Sequence, residues 1–143
     1  MSYVRIWTHV VFGTKDRFPF LKKEIREKLS MHIYENAKKK GIEVIRVNGY
    51  EDHLHCLLSL GTELSIAKTV QLIKGESAFW INKNNLTASK FEWAEQYYAD
   101  SVSDADLERV KNYIDSQEEH HRKITFKEEY EKLIQEIAPL LRD

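Results

Sequence analysis

The sequence holds one cysteine, Cys56, two prolines and five glycines in 143 residues. A single thiol cannot form an internal disulfide, so no disulfide framework supports the fold, and a reducing cytoplasm is the expected compartment. So little glycine and proline excludes a linker-rich or collagen-like chain, and neither an internal repeat nor a low-complexity tract is present. Apolar runs are short, as in Leu57-Leu58, far below the roughly 18 residues that span a bilayer, so no membrane partner is expected. The opening Met1-Ser2-Tyr3-Val4-Arg5 lacks the basic stretch and apolar core of a secretory signal. A large excess of one charge is also missing. With 22 basic and 23 acidic residues the net charge is −1, which argues against a protein that grips nucleic acid by bulk positive charge.

What remains is an ordinary globular composition, 42% hydrophobic and 31% charged, in a chain of one domain's length. We read residues 1–143 as a single domain, with a core over about 3–135 and a helical tail over about 125–143. The charge is uneven. Residues 101–143 carry 7 basic and 11 acidic side chains, whereas residues 15–40 carry 9 basic and 4 acidic. A solvated helix surface explains most such patches, and a local basic face is the functional alternative.

Hydrophobic periodicity outlines the elements. Tyr3 to Thr14 reads as a strand rich in Val, Ile, Trp and Phe. Leu21, Ile25, Leu29, Ile33 and Ala37 recur every four residues and mark a helix over Phe20 to Lys40, with Gly41 as its stop. Ile42 to Val47 suggests a second strand. Asn48-Gly49 is a hairpin signal, with a turn that could extend to Asp52. His53 to Leu60 is the third strand, ended by Gly61. Ile66, Val70, Ile73, Ser77 and Trp80 mark a second helix, and Phe91 to Ser103 holds a fourth strand. A third helix begins near Ser103 with the stripe Leu107, Val110, Ile114. Thr125 with Glu128 forms a capping box that opens a last helix ending before Pro139. The order βαββαβ followed by helices predicts an α+β, ferredoxin-like antiparallel sheet with both crossover helices on one face. Its other face needs a cover: an added helix, a partner chain or a substrate.

Chemistry concentrates in two segments. In Asp52-His53-Leu54-His55-Cys56-Leu57-Leu58-Ser59-Leu60, strand alternation puts Leu54, Cys56, Leu58 and Leu60 on one face and His53, His55, Leu57 and Ser59 on the other. Two imidazoles spaced roughly 7 Å along a strand can converge on one metal ion, although an H-x-H pair alone is weak evidence. In the third helix Tyr113 and Gln117 are four residues apart and share a face, with His120 and His121 close behind.

Together these segments resemble the single-tyrosine HUH transposases, the small transposases of hairpin-ended bacterial insertion sequences and their REP-associated relatives. His53-Leu54-His55 matches the His-hydrophobic-His motif, and Tyr113 and Gln117 match the Tyr-x-x-x-Gln helix. Thr8-His9-Val10-Val11-Phe12, Leu72-Ile73-Lys74-Gly75, Ser101-Val102-Ser103 and Thr125-Phe126-Lys127-Glu128-Glu129-Tyr130 agree with it. One departure is Glu95 to Asp100, which lacks the glycines many relatives carry there.

The resemblance implies a DNA transposase that cleaves and rejoins single-stranded DNA at insertion-sequence ends. Tyr113 would be the nucleophile, forming a 5′-phosphotyrosine. His53, His55 and Gln117 would hold a divalent metal, Mg²⁺ or Mn²⁺, with no small-molecule cofactor. Two imidazoles and an amide suit Mn²⁺ better than Mg²⁺, so weak metal binding is expected before DNA supplies further oxygens. Lys15, Arg17, Lys74 and His121 are candidate DNA contacts, and hairpin DNA and a second copy of the chain are the expected partners. The alternatives are a domesticated nicking protein without mobility, and a ferredoxin-like metallohydrolase built on His53, His55, His120 and His121.

Overall fold

A computed structural model describes residues 2–137. Four strands, β1 (Ile6–Gly13), β2 (Glu43–Tyr50), β3 (His53–Leu60) and β4 (Tyr98–Val102), form one sheet in the order β2-β3-β1-β4. Every pairing is antiparallel. Helix α1 (Lys23–Lys39) joins β1 to β2, and α2 (Ile66–Lys83) joins β3 to β4. This is the expected ferredoxin-like βαββαβ arrangement. Three more helices follow: α3 (Leu107–Asp115), the single turn α4 (Gln117–His120) and α5 (Phe126–Ile137).

Strand alternation divides the sheet into two faces. Val10, Phe12, Leu54, Cys56 and Leu58 point to one side and pack with Leu29, Ile33 and Ala37 of α1 and Val70, Ile73 and Ile81 of α2. Burial of this apolar surface is the main source of stability. Trp93 belongs to this core. Its ring meets Phe12 edge-on at 4.7 Å and its indole N–H donates to Ser77 Oγ at 3.0 Å. The opposite face is covered from within the chain. Leu57 and Val102 pack against Val110 and Ile114 of α3, while Val11 and Tyr98 pack against Phe126 of α5.

The Asn48-Gly49 pair differs from its expected role. Both residues lie inside β2, paired with His55 and Leu54, and the turn falls at Glu51-Asp52. Gly49 is there because a Cβ would collide with the backbone of His53 and approach Leu54 Cα to 2.9 Å. Asn48 reaches across to α3, where its Nδ2 donates to the Ile114 carbonyl at 2.9 Å. A continuous helix would give that carbonyl to the N–H of the residue four positions on. The third helix accordingly breaks at Ser116, whose N–H is shared between the Asn112 and Tyr113 carbonyls.

The capping box opens α5 as expected. Thr125 Oγ1 accepts from Glu128 N–H at 3.1 Å, and the Glu128 carboxylate accepts from Thr125 N–H at 3.2 Å. Rather than trailing as a tail, α5 docks across the sheet. Gly13 permits this, since a Cβ there would lie 2.5 Å from the Phe126 ring. The expected end of this helix before Pro139 lies outside the described residues.

Candidate active site

The polar face of β3 and the three C-terminal helices enclose a cluster of imidazoles around one carboxylate. His53, His55, Gln117 and Glu129 are all buried. The His53 and His55 ring centres are 5.1 Å apart, closer than the strand rise between them because the rings converge. Glu129 Oε1 lies 3.2 Å from His53 Nε2, 3.1 Å from His55 Nε2 and 3.0 Å from His121 Nε2. Glu129 Oε2 accepts hydrogen bonds from the Tyr113 hydroxyl and from Gln117 Nε2, the latter at 3.1 Å. The Gln117 oxygen faces His53 Nε2 and His121 Nε2, each at 3.0 Å.

The far side of each ring is tied down. His53 Nδ1–H donates to the Asp52 carboxylate at 2.9 Å, and Phe126 stacks flat on the His53 ring at 4.1 Å. His55 Nδ1 shares a 2.8 Å hydrogen bond with His9 Nε2. His121 Nδ1–H donates to the Ile124 carbonyl at 2.9 Å. Outer partners of this kind are what orient metal-bound imidazoles. Among the described residues, two groups bring their ligand atoms within 4.8 Å of one another: His53, His55 and Glu129, and His120, His121 and Glu129. His120 Nε2 is buried without a hydrogen-bond partner, 3.3 Å from Glu129 Oε2. This donor set fits a divalent ion: aligned imidazole nitrogens, a carboxylate, and a buried nitrogen that no protein group satisfies.

Burial and charge set the protonation states. Burial of Glu129 would raise its pKa, but hydrogen bonds from His121, His53 and His55 outweigh that and hold the carboxyl far below its ordinary range. Burial lowers His55 to about 4. His9 falls to about 3 through burial and then through the neighbouring His55. Burial also opposes charge on His53, yet hydrogen bonds to Asp52 and Glu129 win and raise its pKa. Tyr113 is pushed well above the usual phenol value, first by burial and then by the Glu129 carboxylate. The hydroxyl is therefore firmly protonated.

The structure thus brings together Tyr113, His53, His55, Gln117 and His121. Tyr113 meets the histidine pair of its own chain, with its ring 5.5 Å from that of His55. Lys15, Arg17 and Lys74 are not brought to this cluster. Lys15 pairs with Glu92 at 3.0 Å. Lys74 donates to the Ala94 and Glu95 carbonyls at 2.6 and 3.1 Å and holds the segment before β4. Arg17 is exposed and lines a separate cleft with Phe126 and Tyr130.

Motif spacing alone does not single out Glu129 or His9. The readable signal for Glu129 is a charge in the buried stripe of α5, three residues after Phe126 and four before Leu133. His9 carries a similar signal, a polar residue on the β1 face that Val11 shares. A cleft between α3 and α5, flanked by Arg109 and Lys132, opens onto Tyr113, His120 and Glu129.

Comparison with known proteins agrees with this geometry. Residues 2–117 match the family described as "Transposase IS200 like", and the chain belongs to that family of DNA-recombining insertion-sequence transposases. It is 29% identical over 115 residues to the ISDra2 transposase TnpA of Deinococcus radiodurans, covering 76% of this chain and 81% of that protein. It is 23% identical over 120 residues to the transposase for insertion sequence element IS200 of Salmonella typhimurium, covering 80% and 78%. In fold it resembles a REP-associated tyrosine transposase solved bound to a REP hairpin, with a TM-score of 0.64 at 13% identity, covering 87% of this chain and 73% of that one. The matched family region contains His53, His55, Tyr113 and Gln117, and it ends before His120, His121 and Glu129.

Proposed function

We propose that this transposase cleaves and rejoins single-stranded DNA at insertion-sequence ends through a covalent bond between Tyr113 and a 5′-phosphate, assisted by a divalent metal at His53, His55 and Gln117. The observation that carries the reading is the meeting of Tyr113 with the paired histidines of β3, around one carboxylate and beneath a cleft open to solvent. The Tyr113 hydroxyl loses its proton as its oxygen attacks phosphorus, the bond from phosphorus to the 3′-oxygen breaks, and the leaving oxygen takes up one proton to become a 3′-hydroxyl, so the proton count is unchanged. The 5′-phosphotyrosine conserves the bond for later rejoining to another 3′-hydroxyl.

This chain's residues prepare that attack. Before DNA arrives, Glu129 and burial keep the proton on the Tyr113 oxygen. Asp52 and His9 fix the rings of His53 and His55. Gln117 links the imidazoles to the tyrosine side of the site through its two amide atoms. When bound, the metal polarises the scissile phosphate and offsets its developing charge. Hairpin DNA of the host element's ends is the proposed substrate.

The test is incubation of the full chain with single-stranded element ends and Mg²⁺ or Mn²⁺, followed by a denaturing gel. We expect a protein–DNA adduct that disappears with Tyr113→Phe. An adduct that survives this substitution would overturn the assignment. A hydrolase built on the histidines alone would keep cutting without one.

A further inference from the structure

The family match ends at Gln117, yet two more donors meet the cluster from beyond it: Glu129, whose carboxylate lies within reach of both His53 and His55, and His121, which shares Glu129 with His120 and also faces the Gln117 oxygen. Their atoms stand at the spacing of ligands around one ion. The Asp52 carboxylate and the Ile124 carbonyl only accept, so His53 and His121 each place their Nδ1 proton there. Their Nε2 atoms then face Gln117 Oε1 and Glu129 Oε1 at 3.0 to 3.2 Å. Neighbouring ligands at right angles around an ion with bonds of roughly 2.1 Å lie roughly 3 Å apart, so the spacing suits coordination.

The rest of the fold holds His121 in place as firmly as the motif histidines. Tyr50 stacks on its ring at 5.5 Å. The Arg26 guanidinium covers Tyr50 at 5.7 Å and is anchored by donating to the Leu21 carbonyl at 2.9 Å. Glu129 is just as constrained, with its second oxygen bound to Tyr113 and Gln117.

We propose that His121 and Glu129 are metal ligands that join His53, His55 and Gln117, so that the protein binds one divalent first-row transition ion before any DNA is present. The inference rests on the proposed metal-assisted reading of the site. Three imidazoles, an amide oxygen and a carboxylate favour Mn²⁺, Co²⁺ or Zn²⁺ over Mg²⁺, which prefers oxygen ligands and keeps its waters. The expectation of weak binding without DNA came from two imidazoles and an amide, and the added pair reverses it. Through Glu129 the bound ion and the nucleophile's hydroxyl share one carboxylate.

The experiment uses the metal-stripped full chain without DNA, titrated with Co²⁺ and with Mn²⁺ and followed by calorimetry. The expected result is one ion per chain. Glu129→Gln and His121→Ala should each weaken binding by more than about 100-fold, beyond the loss typical of an outer partner. Glu131→Gln, an exposed charge on the same helix, should leave affinity unchanged. Equal or tighter binding by Glu129→Gln would overturn the proposal, because the carboxylate would then only be filling the site. If the wild type binds and His53→Ala abolishes binding while Glu129→Gln and His121→Ala do not, this inference alone fails. If the wild type binds no ion, the metal part of the proposed function fails with it. Should the variants not fold, X-ray absorption on the Zn²⁺-loaded wild type decides: three or more imidazoles support the proposal and two overturn it.

Discussion

The two faces of the sheet use the same strands for opposite ends. On β3, Leu54, Cys56 and Leu58 face α1 and α2 in an apolar core, while His53 and His55, one residue out of phase, face α3 and α5. The first face follows the usual rule of buried hydrocarbon. The second buries His9, His53, His55, Gln117 and Glu129, groups that are costly to desolvate unless each finds a partner. Such a cost is tolerated where the groups do chemistry. The comparison teaches that strand parity separates the main apolar core from the titratable cluster, which smaller apolar clusters flank, and substitutions on the two faces should behave differently.

The sharpest contrast is between Tyr113 and Leu58. Tyr113→Phe should eliminate the covalent DNA adduct on a denaturing gel while keeping a folded protein, since it removes one hydroxyl and leaves the ring beside His55 and His120. Leu58→Ala, on the other face, should cost about 2–5 kcal/mol in urea unfolding through lost burial and a cavity. The surviving folded fraction should still form adduct. A Tyr113→Phe protein that loses as much stability as Leu58→Ala would erase the distinction between the faces.

How far these faces were legible in the sequence differs in the same way. Period-two alternation over His53 to Leu60 sorted Leu54, Cys56 and Leu58 from His53 and His55, because a half-polar strand shows its faces directly. The four-residue periodicity of α1 and the capping box of α5 were equally plain. Contacts between distant segments were not. Asn48-Gly49 has the composition of a turn, and only the approach of the His53 backbone and the Ile114 carbonyl explains the pair within a strand. Glu129 belongs to no motif by spacing, and its role depends on α5 folding back over β3, a tertiary event that local pattern does not encode. The hydrogen bonds from Lys74 to the Ala94 and Glu95 carbonyls are another contact between segments that local pattern does not encode.

Two smaller substitutions probe how the polar face is closed. Gly13→Ala puts a methyl group 2.5 Å from the Phe126 ring, so α5 must shift or the ring must turn. Overpacking of this kind costs about 1–3 kcal/mol. Because Phe126 stacks on His53, the variant should also lower adduct yield, which a defect confined to stability would not do in protein shown to be folded. Asn48→Ala removes the donor to the Ile114 carbonyl and should cost about 1 kcal/mol by denaturant unfolding. If the break at Ser116 is set by this bond, the same variant should increase helical circular dichroism slightly as α3 and α4 join.

The smallest effect belongs to the apolar face. Cys56 is fully buried there, and burial pushes its thiol from an ordinary value near 9 up to about 12. The group facing it with a proton to lose is Tyr34 on α1, whose own pKa is also raised by burial. The folded state holds the thiol proton more tightly than the unfolded chain. This contribution to stability is fully present below about pH 9 and declines as pH rises towards 12. Between pH 8.5 and 9.5 the wild type should lose under about 1 kcal/mol of unfolding free energy by this route, on top of the loss from tyrosines held protonated by burial, which both proteins share. Cys56→Ala should start less stable and show a shallower decline over the same interval. An identical slope in both proteins would mean that this thiol is not the titrating group.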